Sequence, residues 1–275
     1  MTTLTADTIA DTRLHRLSLS VASDGIDMLI QSTIDPAETI VRRWNTDEGA
    51  NVVDTLTEAV YDNPLLTAEF RQVSVIIDNR RYFLMPDGDA ANARTRVEAL
   101  WPEHRTGIPL DIVTETVEPG RTVMAFAADN RLTAFVRRTF PGAYITHRMW
   151  VLARYYAIKN RLGNMGKIHV RPGLGRTDIL AFGHEGLLLA NTFDTETVDD
   201  AVYYTMAVAQ HLDFDNERDR IYIAAGADIR EPFLAQTRQF VSLALPEIFP
   251  ADISGMGEAA QQVPFEMLIL PLLQN

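Results

Sequence analysis

Cysteine is absent from the 275 residues. That removes disulfides, thiolate metal ligands and cysteine nucleophiles from consideration. Lysine is almost absent as well: Lys159 and Lys167 are the whole complement, and the remaining positive charge is arginine. Schiff-base chemistry and a phosphate-gripping lysine therefore have few places to reside. Residues 163–167 (GNMGK) lack the P-loop spacing and the Ser or Thr that should follow the lysine. No Gly-x-Ser-x-Gly elbow occurs, and no pair of histidines stands at i, i+4 with a glutamate between them.

Long apolar runs are also missing. Residues 264–273 (PFEMLILPLL) are too few to span a bilayer and include two prolines, Pro264 and Pro271. Residues 1–12 (MTTLTADTIADT) have neither a basic start nor an apolar stretch, so no signal peptide is expected there. These features predict a cytoplasmic protein with no membrane span and a flexible segment at residues 1–12. Positive charge is in deficit: 37 acidic residues against 25 basic ones give a net charge of −12. Such a surface repels phosphate backbones, which argues against nucleic acid as a partner. The densest basic pairs, Arg42-Arg43, Arg80-Arg81 and Arg137-Arg138, are scattered and form no stripe.

What is present is the composition of an ordinary globular chain, 47% hydrophobic and 23% charged. Residues 13–23 alternate apolar and polar side chains up to Asp24-Gly25, and residues 26–34 continue on the far side. Two such runs around Asp-Gly predict a β-hairpin. Residues 37–44 read as a third strand and residues 50–61 as a helix, with Val53, Leu56 and Val60 at helical spacing. Residues 72–77 and 81–85 read as strands, residues 90–101 as a helix, and residues 108–117 and 122–127 as a second hairpin. Asp129 is placed to cap a helix with Leu132, Phe135, Val136 and Phe140 on its apolar face. A short strand at residues 143–147 and a helix from residue 150 to a stop at Gly163 follow.

The later part repeats the theme. Three strands at residues 167–171, 177–183 and 187–193 precede a long helix at residues 199–212. A strand at 220–225, a helix at 229–240 and a strand at 241–245 come next. A loop at 246–262 contains Gly255 and Gly257, and residues 265–270 read as an edge strand. The predicted organisation is therefore two halves, residues 13–147 with inserted hairpins and residues 148–275, duplicated in structure without a residue-level repeat.

Three meandering strands followed by alternating helices and strands, twice in one chain, is the order of the ribonuclease H-like and actin-like ATPase folds. Residues 82–86 (YFLMP), 140–147 (FPGAYITH), 199–212 (DDAVYYTMAVAQHL) and 221–226 (IYIAAG) are similar to a Bacteroidetes domain family of unknown function with that fold. The resemblance covers most of residues 14–245. It implies an α/β chain with two mixed β-sheets flanked by helices and a cleft between the halves. It carries over no activity.

The fold implies where a nucleotide would sit. Glycine-rich turns present backbone N–H groups to phosphates, and a carboxylate at each hairpin positions Mg²⁺ or the attacking water. In the first hairpin the resemblance implies an acid near Ser18 or Ser20, yet only Asp24, in the turn itself, is acidic. In the second, Gly173, Gly175 and Thr177 resemble the second phosphate loop, while His169 and Arg171 stand where the acid is implied. That stretch reads in the first place as a glycine-containing turn with an arginine rim. Gly226, after a buried strand and before a helix, resembles the adenosine turn with one glycine in place of two.

The turns partly survive and the acids do not. Three functions follow from this. The first is a non-catalytic scaffold or interaction module with a protein partner. The second is a regulatory protein that binds ATP or a related nucleotide through Gly173, Gly175, Thr177 and Gly226. The third, ranked last, is a ribonuclease H-like nuclease, which needs convergent carboxylates and a basic groove. His147 reads as a structural histidine, Asp194, Glu196, Asp199 and Asp200 as helix-capping acids, and Tyr203, Tyr204 and Met206 as core. The alternating acids Asp213, Asp215, Glu217 and Asp219 lack the glycine and terminal glutamate of a calcium loop.

Overall fold

A computed structural model describes residues 9–35, 38–101, 109–160, 165–173, 175–249, 253 and 262–274. The chain divides into two compact units: Met1–Glu115 with Val123–Leu152 and Pro250–Asn275, and Thr116–Thr122 with Ala153–Phe249. Of the expected features, the start of the flexible N-terminus, the helix stop at Gly163, Leu174 of the second hairpin turn, and Gly255 and Gly257 lie outside the described residues.

The first unit is built on β1 (His15–Ala22) and β2 (Gly25–Ser32), an antiparallel hairpin around Asp24-Gly25. A side chain on Gly25 would put its Cβ 2.4 Å from the Trp44 carbonyl oxygen, so only glycine lets this turn close against the neighbouring strand. That neighbour is β3 (Thr39–Asn45); β4 (Gln72–Asp78) and β8 (Tyr144–His147) complete the sheet in the order β3-β2-β1-β4-β8. β1, β4 and β8 run parallel. The alternation read from the sequence sends Leu17, Leu19 and Val21 into one core with Met28, Ile30, Leu56, Val75 and Phe126.

Two capped helices pack on this sheet. Asn51 accepts from Val53 N–H to start α1 (Val52–Asp62), and Asp129 accepts from Arg131 N–H to start α3 (Asn130–Thr139). The inserted strands β5 (Tyr82–Pro86), β6 (Leu110–Glu118) and β7 (Thr122–Asp129) form a separate sheet in the order β5-β7-β6. With α2 (Ala93–Leu100) they enclose a small core of Met85, Ala93, Val123 and Ala125.

α4 (Arg148–Lys159) leads into the second sheet. β9 (Lys167–Gly173), β10 (Gly175–Gly183) and β11 (Gly186–Thr195) form an antiparallel meander, and β12 (Arg220–Ile223) and β13 (Ala244–Pro246) continue parallel to β9. The order is β11-β10-β9-β12-β13. Position for position this repeats the first sheet: third, second, first, fourth and fifth strand. α5 (Val198–His211) and α6 (Ala227–Thr237) cover the face that carries Ile168, Val170, Ile221 and Ile223. Alternation turns His169 and Tyr222 to the other face, where His169 stacks on Tyr222 and on Tyr156 of α4.

One expected element differs. Phe265–Leu273 is a helix, α7, and not an edge strand. Met267, Leu268, Ile269 and Leu270 are all buried, so the run is apolar on every side and carries neither the strand nor the helix period. Among the described residues no helix is long and apolar enough to cross a membrane.

Candidate functional site

The register of β9 with β12 brings the glycine turns of the second unit to one sheet edge. Ile223 pairs with Val170, and Ala224 N–H donates to the Val170 carbonyl at 2.9 Å. Gly173 and Gly226 each stand three residues beyond that pair, at the carboxyl ends of their strands. Gly175 opens β10 with φ +74, a left-handed backbone that glycine adopts without cost. A Cβ there would meet nothing within 4 Å, so the demand for glycine is conformational and not steric. Gly226 is the N-cap of α6 and makes no side-chain cap; the Asp228 carboxylate folds back over it, 2.7 Å from where a Cβ would stand.

Thr177 is placed differently. It is fully buried, and its hydroxyl lies 2.9 Å from that of Thr195 on β11. The structure thus gathers Gly173, Gly175 and Gly226 at one edge and keeps the Thr177 hydroxyl inside the sheet. Its neighbour Asp178 is also buried and accepts from the Thr192 hydroxyl at 2.8 Å.

Behind this edge lies a buried polar cluster whose members are far apart in sequence. His169 Nδ1 is 2.7 Å from a Glu247 oxygen, and Asn160 Nδ2 is 2.9 Å from His169 Nε2. Lys159 donates to the other Glu247 oxygen and to the Ile248 carbonyl. The imidazole is stacked on Tyr156 at 3.9 Å between ring centroids and on Tyr222 at 5.2 Å. Burial pulls the His169 pKa below its ordinary value, and Glu247 opposes that without reversing it. A neutral ring satisfies every contact: Nδ1–H donates to Glu247 and Nε2 accepts from the Asn160 amide. Burial pushes the Glu247 carboxyl up, but His169 and Lys159 overcome it and hold the group below the usual range. An acid does stand beside the end of β9, then, supplied by the residue after β13 and already engaged by two side chains.

At the first hairpin, Ser18 and Ser20 are buried in β1 and Ser20 pairs with Asp27 of β2. Arg43 bridges the two nearby acids, with one nitrogen 2.7 Å from Asp24 and another 2.7 Å from Asp27. Burial holds the Asp27 carboxyl above its ordinary range in spite of that arginine.

Three further acids, Asp200, Asp215 and Asp219, hold local backbone structure. Thr197 and Asp200 form a reciprocal capping box at the start of α5. Asp215 accepts from the backbone N–H groups of Glu217 and Arg218, and Asp219 accepts from those of Gly166 and Asp215. Among the described residues no group of three or more His, Asp or Glu side chains is placed to hold a metal ion. His147 accepts from Met149 N–H through Nδ1 and contacts the Asn79 carbonyl through Nε2, the satisfied structural histidine expected.

A concave feature of the second unit lies along α5. It is a groove of about 960 Å³ lined by Val202, Met206 and Phe214 and flanked by Tyr203, Gln236 of α6 and Phe240. Tyr203 is 68% exposed and Phe240 56% exposed. Tyr203, expected in the core, is therefore a surface residue. The available signal was its adjacency to Tyr204: consecutive helical residues point about 100° apart, so both rings cannot face the sheet. Tyr204 stacks on Phe193 at 4.7 Å, and Tyr203 turns outward.

A protein from Bacteroides thetaiotaomicron VPI-5482 with an actin-like ATPase fold and unknown function superposes with a TM-score of 0.73 at 20% identity, covering 89% of this chain and 96% of that one. A PilM-PilN type IV pilus biogenesis complex aligns with a TM-score of 0.48 at 13% identity, covering 94% of each chain. The ethanolamine utilization protein EutJ from Carboxydothermus hydrogenoformans aligns at 0.42 and 12% identity, covering 93% of each. No curated protein matches the sequence. A family model described as protein of unknown function (DUF3822) matches residues 5–242. The chain, with its two mixed sheets in the actin-like ATPase fold, belongs to the DUF3822 family.

Proposed function

We propose that this protein is a non-catalytic interaction module that holds a segment of another protein in the groove along α5. The observation that carries the reading is the exposure of Tyr203 and Phe240 on the flanks of a groove whose floor is Val202, Met206 and Phe214. Exposed aromatic side chains around an apolar concavity are the composition of an interface centre. The chemistry at the sheet edges supports the same reading. Ser18, Ser20, His169 and Arg171 occupy positions where the fold resemblance implies carboxylates, and magnesium is poorly held without them. Tagged wild-type protein, purified from its own cells, is expected to bring down a partner that Met206→Glu and Phe240→Glu both lose. Retention of every co-purifying protein by both variants would overturn the reading.

The second reading is binding of ATP or a related nucleotide through the turns at Gly173, Gly175 and Gly226. Their placement at one edge of the second sheet, with left-handed backbone at Gly175, favours it. Thr177 would contribute only after release from Thr195. Raised thermal stability in the presence of ATP, ADP or GTP tests this reading independently of the groove.

A further inference from the structure

We infer that the occupant of the α5 groove is a basic amphipathic helix of another protein, with lysine or arginine at both ends of an apolar face. This rests on the interaction reading above and adds the chemistry of the partner. Asp199, Tyr203, Met206 and Gln210 recur at intervals of four and three residues along α5, which makes them one ridge beside the groove, and Asp213 lines the groove just past the end of the helix. At 1.5 Å per residue the helical ridge is about 17 Å long, so a helix of about 14 residues spans it with its ends beside Asp199 and Asp213. A helix laid along it would present anchors at i, i+3 or i+4 and i+7 to Val202, Met206, Phe214 and Phe240.

Charge selects among such helices. Among the described residues the charged groups lining the groove are Asp199 and Asp213, one at each end, and both are exposed. Gln236 donates to Asp199 Oδ1, which fixes that carboxylate on the wall of the groove. No arginine or lysine stands among the lining residues to answer an acidic partner. A second copy of this chain fits badly. Its net charge is −12, and exposed apolar side chains such as Ile34 and Tyr61 are followed by Asp35 and Asp62. Acid would meet acid at both ends of the groove, whereas a helix with basic ends gains at both.

The test uses two fluorescein-labelled synthetic peptides of about 14 residues. They share one leucine-alanine face; one carries lysine at both ends, the other glutamate. Fluorescence anisotropy with the full-length protein is expected to show the lysine peptide binding at least about tenfold more tightly, with affinity falling as salt rises. The double variant Asp199→Lys, Asp213→Lys is expected to reverse the preference, and Met206→Glu to abolish binding of both peptides. Equal binding of the two peptides would overturn the charge inference and leave the groove reading standing. Failure of both peptides, with Met206→Glu still abolishing capture of a cellular partner, would overturn the helical occupant alone. Failure of both peptides with no groove-dependent partner would overturn this inference together with the interaction reading.

Discussion

His169 and Glu247, 78 residues apart, meet at 2.7 Å and join the first strand of the second sheet to the residue that follows its last. The pair makes the second unit acid-labile. The folded state holds His169 below the ordinary imidazole value of about 6.5. Its stabilising contribution is therefore complete above that value and is lost as pH falls, because the unfolded chain takes the proton first. Glu247, held below the usual carboxylate range, adds stability above about pH 4.5 that is lost on further acidification. Urea midpoints between pH 7 and pH 5 are expected to fall more steeply for wild type than for His169→Gln. Parallel slopes would show that this histidine is not the titrating group.

A second buried ionic contact seats the C-terminal helix of the first unit. Arg148 Nε lies 3.0 Å from a Glu266 oxygen and 3.8 Å from Asp78, and Arg148 and Glu266 are both almost fully enclosed. Removing one partner leaves a buried charge with less compensation, which typically costs about 3–5 kcal/mol. Glu266→Leu is expected to destabilise by about that amount. The double variant Arg148→Met, Glu266→Leu should recover part of the loss, as read from a double-mutant cycle in urea. An additive double variant would mean that the pair is not coupled.

The nucleotide reading depends on the turn at Gly175. Any nucleotide that binds only the folded state stabilises it by about 2.7 kcal/mol at a hundredfold excess over Kd. Gly175→Val forces a branched side chain into the φ +74 conformation and is expected to cost about 1–3 kcal/mol by itself. The informative quantity is the ligand-dependent shift in Tm with ATP, ADP or GTP, with and without Mg²⁺. A shift in wild type that vanishes in Gly175→Val supports the second reading. No shift at millimolar nucleotide removes it.

The strands were legible because alternation in β1, the Asp24-Gly25 turn and the second meander are local signals. So was the cap at Asp129; of the four acids expected to cap α5, Asp200 closes the capping box, and the N-cap itself is Thr197. The helix at Phe265–Leu273 was not, because a run buried on all sides shows no period. Two features of the site were invisible for a different reason. Glu247 reaches His169 only once β13 lies beside β12, and a contact across 78 positions leaves no local pattern. Phe240 follows α6 as an ordinary apolar residue; its exposure opposite Tyr203 depends on how α5 and α6 pack. The glycine turns were found by resemblance, and only the strand register shows Gly173 and Gly226 at the same edge.

The most direct test of the interaction reading places a photo-cross-linking amino acid at Tyr203 in living cells, with the same residue at Tyr61 on α1 as control. Tyr61 is 88% exposed and belongs to the other unit. The account predicts a discrete adduct from position 203 that is absent from position 61 and lost when Phe240→Glu is added. No adduct at 203, or the same adducts from both positions, would contradict it.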